Sequence, residues 1–240
     1  MLILKREKLS NLFISRGISA KGLVLYLGNF QFFEARGKLI RDKSRCKNDG
    51  TIYGAKWVQG KFGKVLSFDG ADDYVDCGNN ESLDITNAIT IEARIKPEKV
   101  SEARIVRKSP ASSSTKSYML LLDSVNRLWF FIYDNTATGY HEVKSTTALE
   151  IGRWYHIVGT FDGRYMKVYV NGVLEKTIDI GEIATIESNT DPVTIGGTYR
   201  KFNGLIDEVR IYNRALSGKE IKQNMYSSWI YKMLRGVSQT

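Results

Sequence analysis

The chain has 240 residues, 42% of them hydrophobic and only 3 of them proline, which suits one large domain able to bury a core. No stretch approaches the roughly 20 apolar residues of a membrane-spanning helix, and Met1-Leu-Ile-Leu followed by Lys5-Arg-Glu-Lys8 lacks the apolar stretch of a signal peptide. The net charge of +9 sits at the ends: residues 1–48 hold 11 Lys/Arg against 3 Asp/Glu, residues 214–240 hold 5 against 1, and residues 49–213 hold 19 against 22.

Basic ends of this kind either engage an anionic partner, such as nucleic acid, lipid or another protein, or are simply solvated. Cys46 and Cys77 make no disulfide framework, and without neighbouring His they make no zinc site; whether they bridge each other stays open.

Residues 1–21 read as a basic N-terminal extension. From about Leu23 the pattern becomes short apolar runs broken by Gly, Asn and Asp. Strands are predicted at Val65–Phe68, Ala88–Ile95, Tyr118–Leu122, Leu128–Tyr133, Tyr155–Phe161, Met166–Val170, Val193–Ile195 and Leu205–Tyr212. In the 88–95 run, Ile89, Ile91, Ala93 and Ile95 alternate with Thr90, Glu92 and Arg94, the period of a strand with one buried face. Asp162-Gly163 and Asn171-Gly172 read as type I′ hairpin turns, in which both central residues need positive φ. Consecutive hairpins mean antiparallel sheets, and the helices of a parallel βαβ fold are missing. One helix is predicted over about 218–227: Ser217 and Glu220 form a capping box, with Leu216 and Ile221 as its hydrophobic staple.

Seven segments in order resemble the laminin-G-like family of concanavalin A-like domains. They begin with Gly22-Leu-Val-Leu-Tyr26 and Asn48-Asp-Gly-Thr-Ile52, then Gly63-Lys-Val-Leu-Ser-Phe-Asp-Gly70 with Asp72-Asp-Tyr-Val75. Ile89 to Pro97, Trp154 to Gly163 and Val168-Tyr-Val-Asn-Gly172 with Ile195-Gly-Gly197 follow. The last is Phe202-Asn-Gly-Leu-Ile-Asp-Glu-Val-Arg-Ile-Tyr-Asn-Arg-Ala-Leu-Ser217. The resemblance implies an all-β jelly-roll sandwich of two curved antiparallel sheets over about 22–213, followed by a C-terminal helix and basic tail over 214–240. The stretch 27–37 departs from the family pattern; Phe33-Glu34 is its best match to the family's Phe-Asp pair.

The resemblance also implies a Ca²⁺ held by Asp207, the carbonyl of Gly70, and Glu34. Six to eight oxygens drawn from distant segments suit that ion. Asp207 alternates with Leu205, Val209 and Ile211, which places a carboxylate in phase with core residues, where it needs a cation or strong donors. For catalysis the signals are weak. Glu92 stands with Arg94 on one strand face, Asp207 and Glu208 point to opposite faces, and His156 has nothing near it in sequence to complete a relay. If Leu128, Phe130 and Ile132 are the buried set, Trp129, Phe131 and Tyr133 lie off the core, and with Tyr140 and Tyr199 they are candidates for stacking on sugar rings. The loops 109–116, 134–141 and 198–203 are where specificity would be placed.

These readings converge on a non-catalytic module that binds carbohydrate or a glycosylated surface, with calcium support, in an extracellular, cell-surface or virion setting. The alternative is a structural component of a virion or surface assembly, as a homo-oligomer or larger array, whose basic termini contact neighbours or nucleic acid.

Overall fold

The computed structural model describes residues 20–28, 37–60, 63–109, 117–134 and 139–226. Most of the basic N-terminal extension, Glu34, parts of two predicted loops and the basic C-terminal tail lie outside these residues.

Two antiparallel sheets face each other. In chain order the strands are β1 (Leu23–Leu27), β2 (Leu39–Ile40), β3 (Gly50–Tyr53), β4 (Lys56–Gly60), β5 (Gly63–Asp69), β6 (Tyr74–Asp76), β7 (Ile89–Pro97) and β8 (Ala103–Lys108). Then come β9 (Tyr118–Leu122), β10 (Arg127–Tyr133), β11 (Tyr140–Ala148), β12 (Tyr155–Phe161), β13 (Tyr165–Val170), β14 (Val173–Asp179), β15 (Val193–Ile195) and β16 (Asn203–Tyr212). Sheet A runs β14-β13-β12-β7-β16-β5-β4 with β1 also paired to β16, and sheet B runs β11-β10-β9-β8-β15-β6-β3-β2. The expected sandwich is therefore present.

Period-two burial closes the core. Ile89, Ile91, Ala93 and Ile95 of β7 point inward from sheet A, against Tyr118, Leu120 and Leu122 of β9 and Leu128, Phe130 and Ile132 of β10 from sheet B. Opposite Phe130, β12 carries Gly159, because a Cβ there would stand 2.5 Å from Phe130 Cγ.

Two bulges change the side-chain phase. In β8 the register shifts between Arg104 and Val106, so Ile105 and Val106 are both core residues although they are adjacent. In β16 it shifts between Asp207 and Arg210, with Glu208 at φ 54°. Ile206 faces the core before that bulge, and Val209 and Ile211 face it afterwards. Asp207 is thus out of phase with Val209 and Ile211, contrary to the alternation read from sequence.

The turns divide. Asn171-Gly172 has φ of 50° and 73°, as a type I′ turn requires. Asp162-Gly163 does not: only Gly163 has positive φ, and Asp162 Oδ1 accepts the N–H groups of Arg164 and Tyr165, so this side chain caps a three-residue connection. Residues 218–226 are helical, with Glu220 bonded to the Ser217 N–H at 2.9 Å and Ser217 Oγ accepting the Glu220 N–H at 3.3 Å, while Leu216 and Ile221 are buried together. Cys46 and Cys77 are unbridged.

Gly159→Ala tests the packing directly. It is expected to cost about 1–3 kcal/mol by overpacking against Phe130, read as a lower denaturant midpoint at unchanged slope.

Candidate functional site

The outer faces of the two sheets differ in kind. On sheet A the face is closed by ion pairs and by the C-terminal helix. Arg210 of β16 is fully buried and donates Nη1 to Glu92 Oε1 at 3.0 Å and Nη2 to Glu208, while its guanidinium lies 4.4 Å from the Tyr26 ring centroid. Glu92 also meets His156 Nε2 at 3.2 Å and accepts from Asn224 Nδ2 of the helix at 2.9 Å; Tyr26 donates its hydroxyl to Glu208 at 2.9 Å. Glu92 is therefore buried against Arg210, not exposed beside Arg94 as the sequence suggested. Burial raises its pKa, yet the Arg210 and His156 charges and hydrogen bonds outweigh burial and hold the carboxyl below the ordinary glutamate range. Two acids locked onto one guanidinium under a helix hold a structure together; they are not set across a cleft.

The calcium set implied by the resemblance does not assemble. Gly70 follows β5 and sits beside Asn203, whose Nδ2 bonds the Asp69 carbonyl at 2.6 Å. Asp207 lies four residues further along β16, roughly 13 Å away at strand rise, and its Oδ1 accepts the Glu208 N–H at 2.9 Å. Glu34 is outside the described residues. Asp207 and Gly70 cannot share an ion in this geometry. Asp69, Asp72 and Asp73 do gather beside Gly70, where Asp69 accepts the Ala71 N–H and Asp73 the Asp69 N–H.

The outer face of sheet B is aromatic and basic: Leu121, Met119, Phe131 and Arg107 are buried in it, Trp129 and Tyr133 are partly buried, and Tyr140 is exposed. Trp129, Phe131 and Tyr133 of β10 point away from the core, as expected from their alternation with Leu128, Phe130 and Ile132. Ring centroids are 4.4 Å apart for Trp129–Phe131, 6.4 Å for Phe131–Tyr133 and 5.9 Å for Tyr133–Tyr140, a continuous aromatic strip across β10 and β11. Lys144 Nζ stands 3.5 Å over the Trp129 ring. Beside the strip, Met119 and Leu121 of β9 form an apolar floor, and beyond them Arg104 and Arg107 of β8 pair across to Leu121 and Met119. Tyr199, 49% exposed, belongs to the loop that packs on Arg104. Of the four aromatic residues singled out from sequence, Trp129, Tyr133 and Tyr140 thus share one face, and Tyr199 lies in a loop close enough to Arg104 to act on its charge.

Comparison with known families agrees with this architecture. Residues 69–222 match the model of the concanavalin A-like lectin/glucanases superfamily in its laminin-G form. The chain belongs to that superfamily. No curated protein is similar enough in sequence to count as a relative. Among solved structures, the binding domain of Paraclostridial Mosquitocidal Protein 1 has a TM-score of 0.69 at 19% identity, covering 86% of this chain and 52% of that one, so this chain spans about half of it. Domain 4 of AbnA, an extracellular arabinanase from Geobacillus stearothermophilus solved with arabinotriose, scores 0.65 at 18% identity, with 85% and 98% covered. Trypanosoma rangeli sialidase scores 0.62 at 20% identity, with 87% and 33% covered. These likenesses are of fold. Superfamily membership accounts for the sandwich and leaves the chemistry of each face to its own residues. No helix among the described residues is long and apolar enough to cross a membrane.

Sequence reasoning passed over Arg104 and Arg107. Three residues apart on a regular strand, they would point to opposite faces; the β8 bulge puts them on the same one. Nothing short of locating that bulge would have paired them. It also missed the buried network, because Glu92, His156 and Arg210 are separated by dozens of residues and meet only across β12, β7 and β16.

The network predicts an acid limit. Glu92 has a lowered folded pKa, so its contribution is fully present above the ordinary value of about 4.5 and is lost as pH falls through the folded value. The melting temperature should stay level from neutral pH to about 5 and fall below about 4.5. Glu92→Gln leaves Arg210 its pair with Glu208 but removes one of two buried carboxylate partners, so it should cost about 1–3 kcal/mol at neutral pH and flatten that acid-side fall.

Proposed function

We propose that the protein is a non-catalytic carbohydrate-binding module whose ligand lies along the outer face of sheet B. The aromatic strip of Trp129, Phe131, Tyr133 and Tyr140 is the observation that carries this reading. Sugar rings offer apolar C–H faces to such rings, and polar groups at the margin take the hydroxyls. The strip is flanked by donors on both sides, Lys144 on β11 and the two arginines on β8. On sheet A the C-terminal helix packs over the outer face. The arabinanase domain, of which this chain covers 98% and which was solved with arabinotriose, supports a sugar-binding use of the same fold.

The test is a glycan array carrying neutral and acidic oligosaccharides, arabino-oligosaccharides included, followed by titration with the best binder. Tyr140→Ala and Trp129→Ala should each weaken binding about tenfold, equivalent to about 1.4 kcal/mol, with Tyr140→Ala barely moving the melting temperature because Tyr140 is 48% exposed. Full binding by both variants would overturn the assignment of this face.

A further inference from the structure

Resting on that reading, we propose that the sheet B face selects acidic sugars, with Arg104 and Arg107 receiving a ring carboxylate while the aromatic strip holds the adjoining pyranose. The outward row across the sheet places Thr194 of β15 beside Arg107, then Met119, then Phe131. Arg107 is only 4% exposed, and its Nε and Nη1 have no hydrogen-bond partner among the described residues. Arg104 gives Nη1 to Glu102 at 2.8 Å, but its buried Nε also lacks one. On the same face Thr194 Oγ1 and Trp129 Nε1 are buried and unbonded.

Four side chains from three different strands thus carry buried, unmet hydrogen-bonding groups along the outward side of sheet B. Burying a charged donor with nothing to receive it is costly, and two guanidinium groups side by side add repulsion. Burial and the Arg104 charge together draw the Arg107 pKa down from its ordinary value. Water can accept these hydrogen bonds but cannot neutralise the pair. An anion does both. A carboxylate is planar and matches the guanidinium fork, and on a pyranose acid it is attached directly to the ring whose apolar face would lie on Phe131 and Trp129. Glu102, which also pairs with Arg200, offsets one charge of this end of the face, and Asp191 lies near enough to Arg107 to favour its charged form. Arg107 itself forms no ion pair among the described residues, so the positive field there persists.

Matched pairs on an array test this: trigalacturonic acid against its methyl ester, and 3′-sialyllactose against lactose. The expected result is at least tenfold tighter binding of the acid in one pair or both, with the gap lost in Arg107→Met and reduced in Arg104→Met. Arg107→Lys, which keeps the charge but not the fork, should recover only part of the gap, so a misfolded Met variant does not end the test. Equal binding of acid and neutral forms would overturn the carboxylate assignment and leave the module reading intact. Tighter binding of sulfated galacto-oligosaccharides than of either acid would overturn it as well. Absence of binding to every glycan, neutral or acidic, would sink the module reading itself.

Discussion

Two extra residues, one in β8 and one in β16, decide what each outer face of this sandwich is made of. A strand sends alternate side chains to opposite faces, so a bulge exchanges the faces of everything beyond it. In β16 the exchange keeps Val209 and Ile211 in the core and sends Arg210 and Tyr212 outward, where Glu92, His156 and Asn224 meet them. In β8 it lets Ile105 and Val106 both stay in the core while Arg104 and Arg107 stand together outside. Without the β16 bulge the helix would cover Glu92 with no Arg210 beside it. Without the β8 bulge, sheet B would carry one arginine where it carries two.

The two faces then follow different physics. The sheet A network is a buried ion-pair cluster: a guanidinium between two carboxylates, with an amide and a tyrosine adding hydrogen bonds. Such an arrangement contributes less to net stability than its Coulomb energy suggests, because desolvating three charges opposes it, but it is intolerant of losing a member. On sheet B, polar atoms are buried without partners next to partly exposed rings. A folded protein leaves few such groups unmet, and where it does a ligand is a direct explanation. Rigidity of the sheet beneath keeps the strip in place, so little ordering would be required on binding.

The legible parts of the sequence were those governed by local pattern. Strands β9 and β12 and the short β15 have the predicted limits because their runs are bounded by turn residues, and the Ser217–Glu220 capping box is a local device that reads the same in either setting. Edge strand β11 was read partly as a loop since, of its nine residues, Val143 is the one hydrophobic residue in the core. Leu128 to Tyr133 is an unbroken apolar run, so the aromatic strip was legible only on the condition that Leu128, Phe130 and Ile132 are the buried set, which the core shows them to be. Asp207 was misplaced in phase, and Arg104 and Arg107 were unseen, for one reason: a bulge is set by pairing with a distant strand and leaves no mark in the pattern of one segment. The calcium expectation came from the family, and its ligands were assigned one at a time with no constraint on their separation; strand register supplies that constraint.

The central claim is that ligands dock on the outer face of sheet B and not on sheet A. Side-chain N–H signals of Trp and Arg in a ¹⁵N-labelled sample report on it during titration with trigalacturonic acid. The account predicts saturable shifts at Trp129 Nε1–H and Arg107 Nε–H with the Arg210 Nε–H signal unmoved. Shifts confined to Arg210 and its sheet A neighbours, with Trp129 and Arg107 silent, would contradict it.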